Sequence, residues 1–140
     1  MTAQSPRKLF VNIPVTDLKR SIAFFTRLGF RFNQQFTDDS ATCMIVGEDA
    51  YFMLLVTDRF KDFTRKPLCD NKTHAGGIYA ISLGSRAEVD EIVKLAVESG
   101  GSRALPPQDH GFMYSWSFYD PDDHHFEVFY MDPAHVQPQQ

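Results

Sequence analysis

A strand, a capped helix and three more strands follow one another twice along this chain, and no other feature limits its fold as much. In the first pass Leu9 to Val15 is rich in β-forming residues and stops at Thr16-Asp17. Apolar residues then fall at Leu18, Ile22, Phe25 and Leu28, the spacing of one helical face. Asp17 is a suitable N-cap and Gly29 a suitable C-terminal stop, so a helix is expected over about 18–28. Strands are predicted at 30–36, 42–46 and 51–56, separated by Asp38-Asp39-Ser40 and Gly47-Glu48-Asp49.

The order restarts at a strand over 77–83. Ser85-Arg86-Ala87-Glu88 is a capping box, Val89, Ile92, Val93, Ala96 and Val97 make an apolar stripe, and Gly100-Gly101 ends the helix. Strands are predicted near 102–105, 113–119 and 125–131. The expected class is α+β, with two tandem βαβββ halves at about 8–57 and 77–131 in one domain spanning 1–140. A linker over 58–76 joins them, with Phe60 and Phe63 spaced for one short helical turn and a lid as an alternative role. Residues after Asp132 read as a frayed tail.

With 140 residues and a net charge of -4, the chain lacks the basic excess that binding to nucleic acid or anionic membranes requires. The longest apolar run, Tyr51 to Val56, is too short to span a bilayer, and Met1 to Lys8 does not read as a signal peptide. A soluble cytoplasmic protein is the expectation. Cys43 and Cys69 form no redox or zinc motif and are expected to be reduced thiols, Cys43 buried in a strand.

Two segments carry a family likeness. Phe10-Val11-Asn12-Ile13-Pro14-Val15-Thr16-Asp17-Leu18, followed by Ser21 and Phe24-Phe25, resembles the opening of vicinal-oxygen-chelate proteins, the glyoxalase, bleomycin-resistance and extradiol-dioxygenase superfamily. The closing Phe118-Tyr119-Asp120-Pro121-Asp122-Asp123-His124-His125-Phe126-Glu127-Val128 resembles that superfamily's terminal strand pair, with Asp123 where Gly is usual. If that position needs φ > 0, Asp can adopt it at a cost of about 1 kcal/mol. The segment Gln108-Asp109-His110-Gly111-Phe112-Met113-Tyr114 is similar to a branch known as predicted lactoylglutathione lyases. The resemblance implies an open, cup-shaped mixed sheet with helices outside, a small-molecule ligand inside and a homodimer.

It also implies where a divalent metal would sit. Carried over by position, the four ligand places fall on Phe10, Leu54, Ile78 and Glu127, of which Glu127 alone can bind a metal. One carboxylate cannot hold a divalent ion against water, so no cofactor is expected. The alternative is a metal on Glu127 with His125, which strand alternation puts on the same face while His124 points away. A third ligand would have to come from His74, His110 or Asn12. His124 and His125 also read as partly exposed residues beside a turn, and His74 as a loop residue.

Glu127 has two open readings. It is either a strand carboxylate turned to water or a carboxylate among Phe10, Leu54 and Ile78, where burial would raise its pKa and suit it to acid–base work or a cationic ligand. His110 is a candidate proton carrier, Asn12 a ligand-orienting amide or a strand-end contact, and Tyr114 a lining residue. Trp116 and Phe118 share one strand face and read as core. Three functions remain open: an enzyme on a small oxygenated or electrophilic substrate, a metal-free protein that sequesters an aromatic or cationic molecule, and a regulatory or structural role.

Overall fold

The computed structural model describes residues 5–135, with His135 by its backbone only. The chain divides between Leu68 and Cys69 into two compact units. Each holds a mixed sheet with one long helix against it, and neither sheet closes into a barrel. The α+β class and the repeated element order hold.

In the first unit, strand β1 (Leu9–Val15) leads into helix α1 (Leu18–Arg27), then β2 (Arg31–Asn33), β3 (Ala41–Gly47) and β4 (Ala50–Val56), giving the order β1-β4-β3-β2. The Asp17 carboxylate accepts the Arg20 N–H at 3.1 Å, as an N-cap does. Gly29, at φ +99, turns the chain out of the helix. The strand expected over 30–36 is only three residues long. Asn33 accepts the Gln35 N–H at 3.0 Å and folds Gln34–Phe36 into a 3-10 turn, which takes the backbone out of the ladder.

Burial sorts the two faces of this sheet. Ile13, Val15, Phe52, Leu54, Thr42 and Met44 are buried on the face that meets Phe24 and Phe25 of α1. Phe10, Asn12, Tyr51 and Met53 occupy the opposite, open face, where Phe10 stacks on Tyr51 with ring centroids 4.8 Å apart. Cys43 is buried in β3, and both cysteines are free thiols. After β4 come α2 (Thr57–Phe60) and a 3-10 turn over Lys61–Phe63, the short helical segment that Phe60 and Phe63 suggested.

The second unit contains β5 (Ile78–Ser82), α3 (Arg86–Glu98), β6 (Ser102–Arg103), β7 (Gln108–Asp109), β8 (Met113–Tyr119) and β9 (His125–Met131). The order is β5-β9-β8-β6, with β7 also paired to β8. The capping box forms with one change. Ser85 accepts the Glu88 N–H at 3.2 Å, while the Glu88 carboxylate reaches the Gly84 N–H at 2.9 Å. Val89, Ile92, Val93 and Ala96 are buried against β8 and β9, but Val97, expected in that stripe, is 39% exposed.

The strand expected over 102–105 splits. Ser102–Arg103 pairs with one end of β8 and Gln108–Asp109 with the other, because Leu105-Pro106-Pro107 cannot supply a continuous ladder. At the far end Pro133–His135 forms a 3-10 turn, so the expected fraying does not begin at Asp132, and the rest of that tail lies outside the described residues. Among the described residues no helix is long and apolar enough to cross a membrane.

Candidate functional site

The turn between β8 and β9 fixes the site. Asp120 and His124 are buried, at 2% and 3% exposure. Asp120 Oδ1 accepts the N–H groups of Asp122 and His124 at 3.0 and 2.8 Å, and the carboxylate lies 2.8 Å from His124 Nδ1. Asp123 takes φ 65, the left-handed backbone that its place in the motif suggested. His124 is therefore an internal brace, and the expectation of a partly exposed residue is corrected for it. The brace sets the hairpin register, in which His125 faces Tyr119 and Glu127 faces Ser117.

Glu127 sits on the open face of the second sheet, the face away from α3. Its strand partners are Ser117 on β8 and Ala80 on β5. Beside it lies a cavity of about 120 Å³ lined by Glu127, Ser115, Ser117, Gln108, Trp116 and the Leu105-Pro106 segment. Ser117 Oγ accepts the Leu105 N–H at 2.9 Å, which ties this wall to the sheet. The Arg103 guanidinium lies over the Trp116 ring, 5.5 Å from its centroid. Strand alternation turns the Trp116 ring to the other face of β8, so a carboxylate, two hydroxyls and an amide converge here beside the Leu105-Pro106 segment. This lining is more polar than the apolar surround that was expected for Glu127.

The other residues singled out in the sequence scatter. Leu54 is fully buried on the α1 side of β4, so it lines no ligand site; the position was misassigned by one residue, and Met53 holds the open face. Phe10 and Ile78 lie on open sheet faces of different units, 47% and 59% exposed. Asn12 is exposed, and its amide donates to the Phe10 carbonyl at 3.2 Å, the strand-end contact that was the plainer of its two readings. His110 is exposed at the β7–β8 turn, where its N–H donates to the Met113 carbonyl. Glu127 faces Ser117, four residues along β8 from Met113, which separates the two by roughly 13 Å of strand. The structure does not bring His110 to Glu127.

Tyr114 faces the helix instead of the cavity. Its hydroxyl donates to Asp90 on α3 at 2.5 Å. Arg86, in the first turn of α3, lies over the Tyr114 ring and donates to the Asp109 carboxylate at 2.9 Å and the Gly111 carbonyl at 2.8 Å. Asp109, Gly111 and Tyr114 of the distinctive 108–114 segment therefore latch the β7–β8 hairpin onto α3. The hydrogen bond to Asp90, then partial burial and the neighbouring carboxylates, push the Tyr114 phenol up to about 12. The Arg86 guanidinium holds the Asp109 carboxyl below its ordinary value.

The donors present do not fit the superfamily's divalent metal. Phe10 and Ile78 have no donor atom, Leu54 is in the core, and among the described histidines of β9 it is His125 that shares a strand face with Glu127. Among the described residues no three His, Cys, Asp or Glu side chains are grouped to hold a metal ion.

Sequence reasoning missed Ser115, Ser117 and Gln108 as the lining of the Glu127 cavity. A usable signal existed for the serines. Once the Asp120–Asp123 turn pairs Tyr119 with His125, alternation puts Ser117 opposite Glu127 and Ser115 beyond it on the same face.

Comparison with known proteins agrees with this architecture. Residues 7–47 match the family described as bleomycin resistance protein-like N-terminal. No curated protein sequence matches the chain. A hypothetical protein from S. aureus has a similar structure, with a TM-score of 0.77 at 23% identity over 91% of this chain and 95% of that one. A glyoxalase-related enzyme from Fulvimarina pelagi gives a TM-score of 0.74 at 15% identity, covering 91% of this chain and 88% of that one. A fosfomycin resistance protein from Mesorhizobium loti gives 0.64 at 17% identity, covering 96% and 97%. The repeated βαβββ order, the braced β8–β9 turn and these likenesses together give the chain the fold of the vicinal-oxygen-chelate superfamily, that of the glyoxalase, bleomycin-resistance and dioxygenase proteins.

Proposed function

We propose that this protein binds a small organic cation on the open face of its second sheet, with Glu127 as the anchoring charge and no divalent metal in the site. The observation that carries this reading is the convergence of Glu127, Ser115, Ser117 and Gln108 on one small cavity beside Leu105 and Pro106. A carboxylate next to the aliphatic Leu105-Pro106 wall suits an amine with an apolar body, such as an aromatic amine: the charge pairs with Glu127 and the ring packs on apolar surface. The fold hosts many chemistries and selects no reaction, so the proposal is one of binding. The working form we propose is a cytoplasmic homodimer, in keeping with the apolar residues that Leu9, Phe10 and Ile78 leave exposed.

Calorimetric titration with benzylamine and other small aromatic amines, each beside its neutral alcohol analogue, tests the reading. The amines are expected to bind and the alcohols to bind far more weakly. Glu127→Gln should weaken amine binding at least about tenfold, or about 1.4 kcal/mol. Amines that fail to bind, or that bind the variant as well as the wild type, would overturn the proposal.

A further inference from the structure

A second cavity of the second unit lies away from the Glu127 pocket, at the β8–β9 turn. It measures about 190 Å³ and is walled by the loop over 71–77 together with Tyr119, Asp123 and His125. Asp70 shapes that loop. Its carboxylate accepts the Lys72 N–H at 3.0 Å, and its carbonyl accepts the N–H groups of Thr73 and His74 at 3.1 and 2.8 Å. Thr73 Oγ1 lies 2.7 Å from His74 Nδ1 and orients that imidazole.

His125 closes the opposite wall, its ring 5.3 Å from that of Tyr119. Its Nε2 is shielded from solvent and has no hydrogen-bond partner among the described residues. A buried nitrogen left in that state is unfavourable, and a ligand acceptor that reached it would satisfy it. Asp123 is the one carboxylate of the lining, against Lys72 and two imidazoles. Lys72 offsets that carboxylate, and the wall is rich in donors: the Lys72 ammonium, the Asn71 amide and the ring nitrogens of the two histidines.

We propose that this cavity is a second binding site and takes a small oxyanion, a carboxylate or phosphate, either free or as the end of a larger molecule. Lys72 supplies the charge, and the imidazoles of His125 and His74 supply directed N–H donors. A cation would meet Lys72 and both imidazoles. An apolar group would leave His125 Nε2 unpaired.

The test is a titration of the full chain, isotopically labelled at histidine, with sodium phosphate and separately with sodium acetate, following the imidazole C–H resonances by NMR. Sodium chloride at matched ionic strength is the control. Saturable shifts of His125 and His74 are expected with phosphate or acetate and not with chloride. Tighter phosphate binding would indicate a phosphate ligand, and equal or tighter acetate binding a carboxylate.

Lys72→Met, at an exposed position, should weaken binding at least tenfold while the fold persists. His125→Ala should do the same, and Lys72→Met should leave amine binding at the Glu127 cavity unchanged, which separates the two sites. The proposal is overturned by shifts that do not saturate, by equal shifts with chloride, or by undiminished binding in Lys72→Met.

Discussion

Asp120 holds more of the site together than any other single side chain. Its buried carboxylate satisfies two backbone N–H groups and the Nδ1 of His124, and those bonds set the register that places Glu127 opposite Ser117. Removing it strands several buried polar groups at once. Asp120→Ala should therefore cost about 2–4 kcal/mol in denaturant unfolding, and a loss well under 1 kcal/mol would contradict the brace. At this scale the sequence was legible where a residue acts on its own neighbours: Asp17 as a cap, Gly29 as a stop, and Asp123 at positive φ. It was not legible where a role depends on the sheet face. One residue of slip moved Leu54 from the core to an imagined cavity, and His124 gave no sign of the carboxylate four residues earlier that buries it.

Among the elements, the β7–β8 hairpin shows how a motif can be noticed and still be misread. The 108–114 segment carried a family likeness, and its His110 and Tyr114 were candidate site residues; Gln108 does line the Glu127 cavity. Its Asp109, Gly111 and Tyr114 instead fasten the hairpin to Arg86 and Asp90 of α3, across more than twenty residues of sequence. Local patterning cannot show such a contact, whereas it does show helix caps and apolar stripes. The Arg86–Asp109 pair is solvent-exposed, so its role is to set position more than to add stability.

The latch has a pH signature. The Tyr114 phenol is raised from 10.0 to about 12 in the folded chain, first by the Asp90 hydrogen bond. The folded protein holds that proton more tightly than the unfolded chain does. The contribution is complete below pH 10 and is lost as the pH climbs through about 12. In spectra of the chain carbon-13-labelled at tyrosine, Asp90→Asn should bring the Tyr114 titration back toward 10, and an unchanged titration would refute the latch.

Across the whole molecule, the repeated βαβββ order was the strongest signal, because it rests on many residues and tolerates errors at each. The ligand places failed differently. Three of the four that the resemblance implied carry no donor, and Glu127 alone remains, flanked by Ser115 and Ser117. The fold is the one the resemblance implied, and the function we propose for it rests on Glu127 acting on an organic cation without a metal. The most direct test is the metal content of wild-type protein purified without chelator and compared with Glu127→Ala. The account predicts a divalent ion far below one equivalent in both; one equivalent in the wild type that disappears in the variant would contradict it.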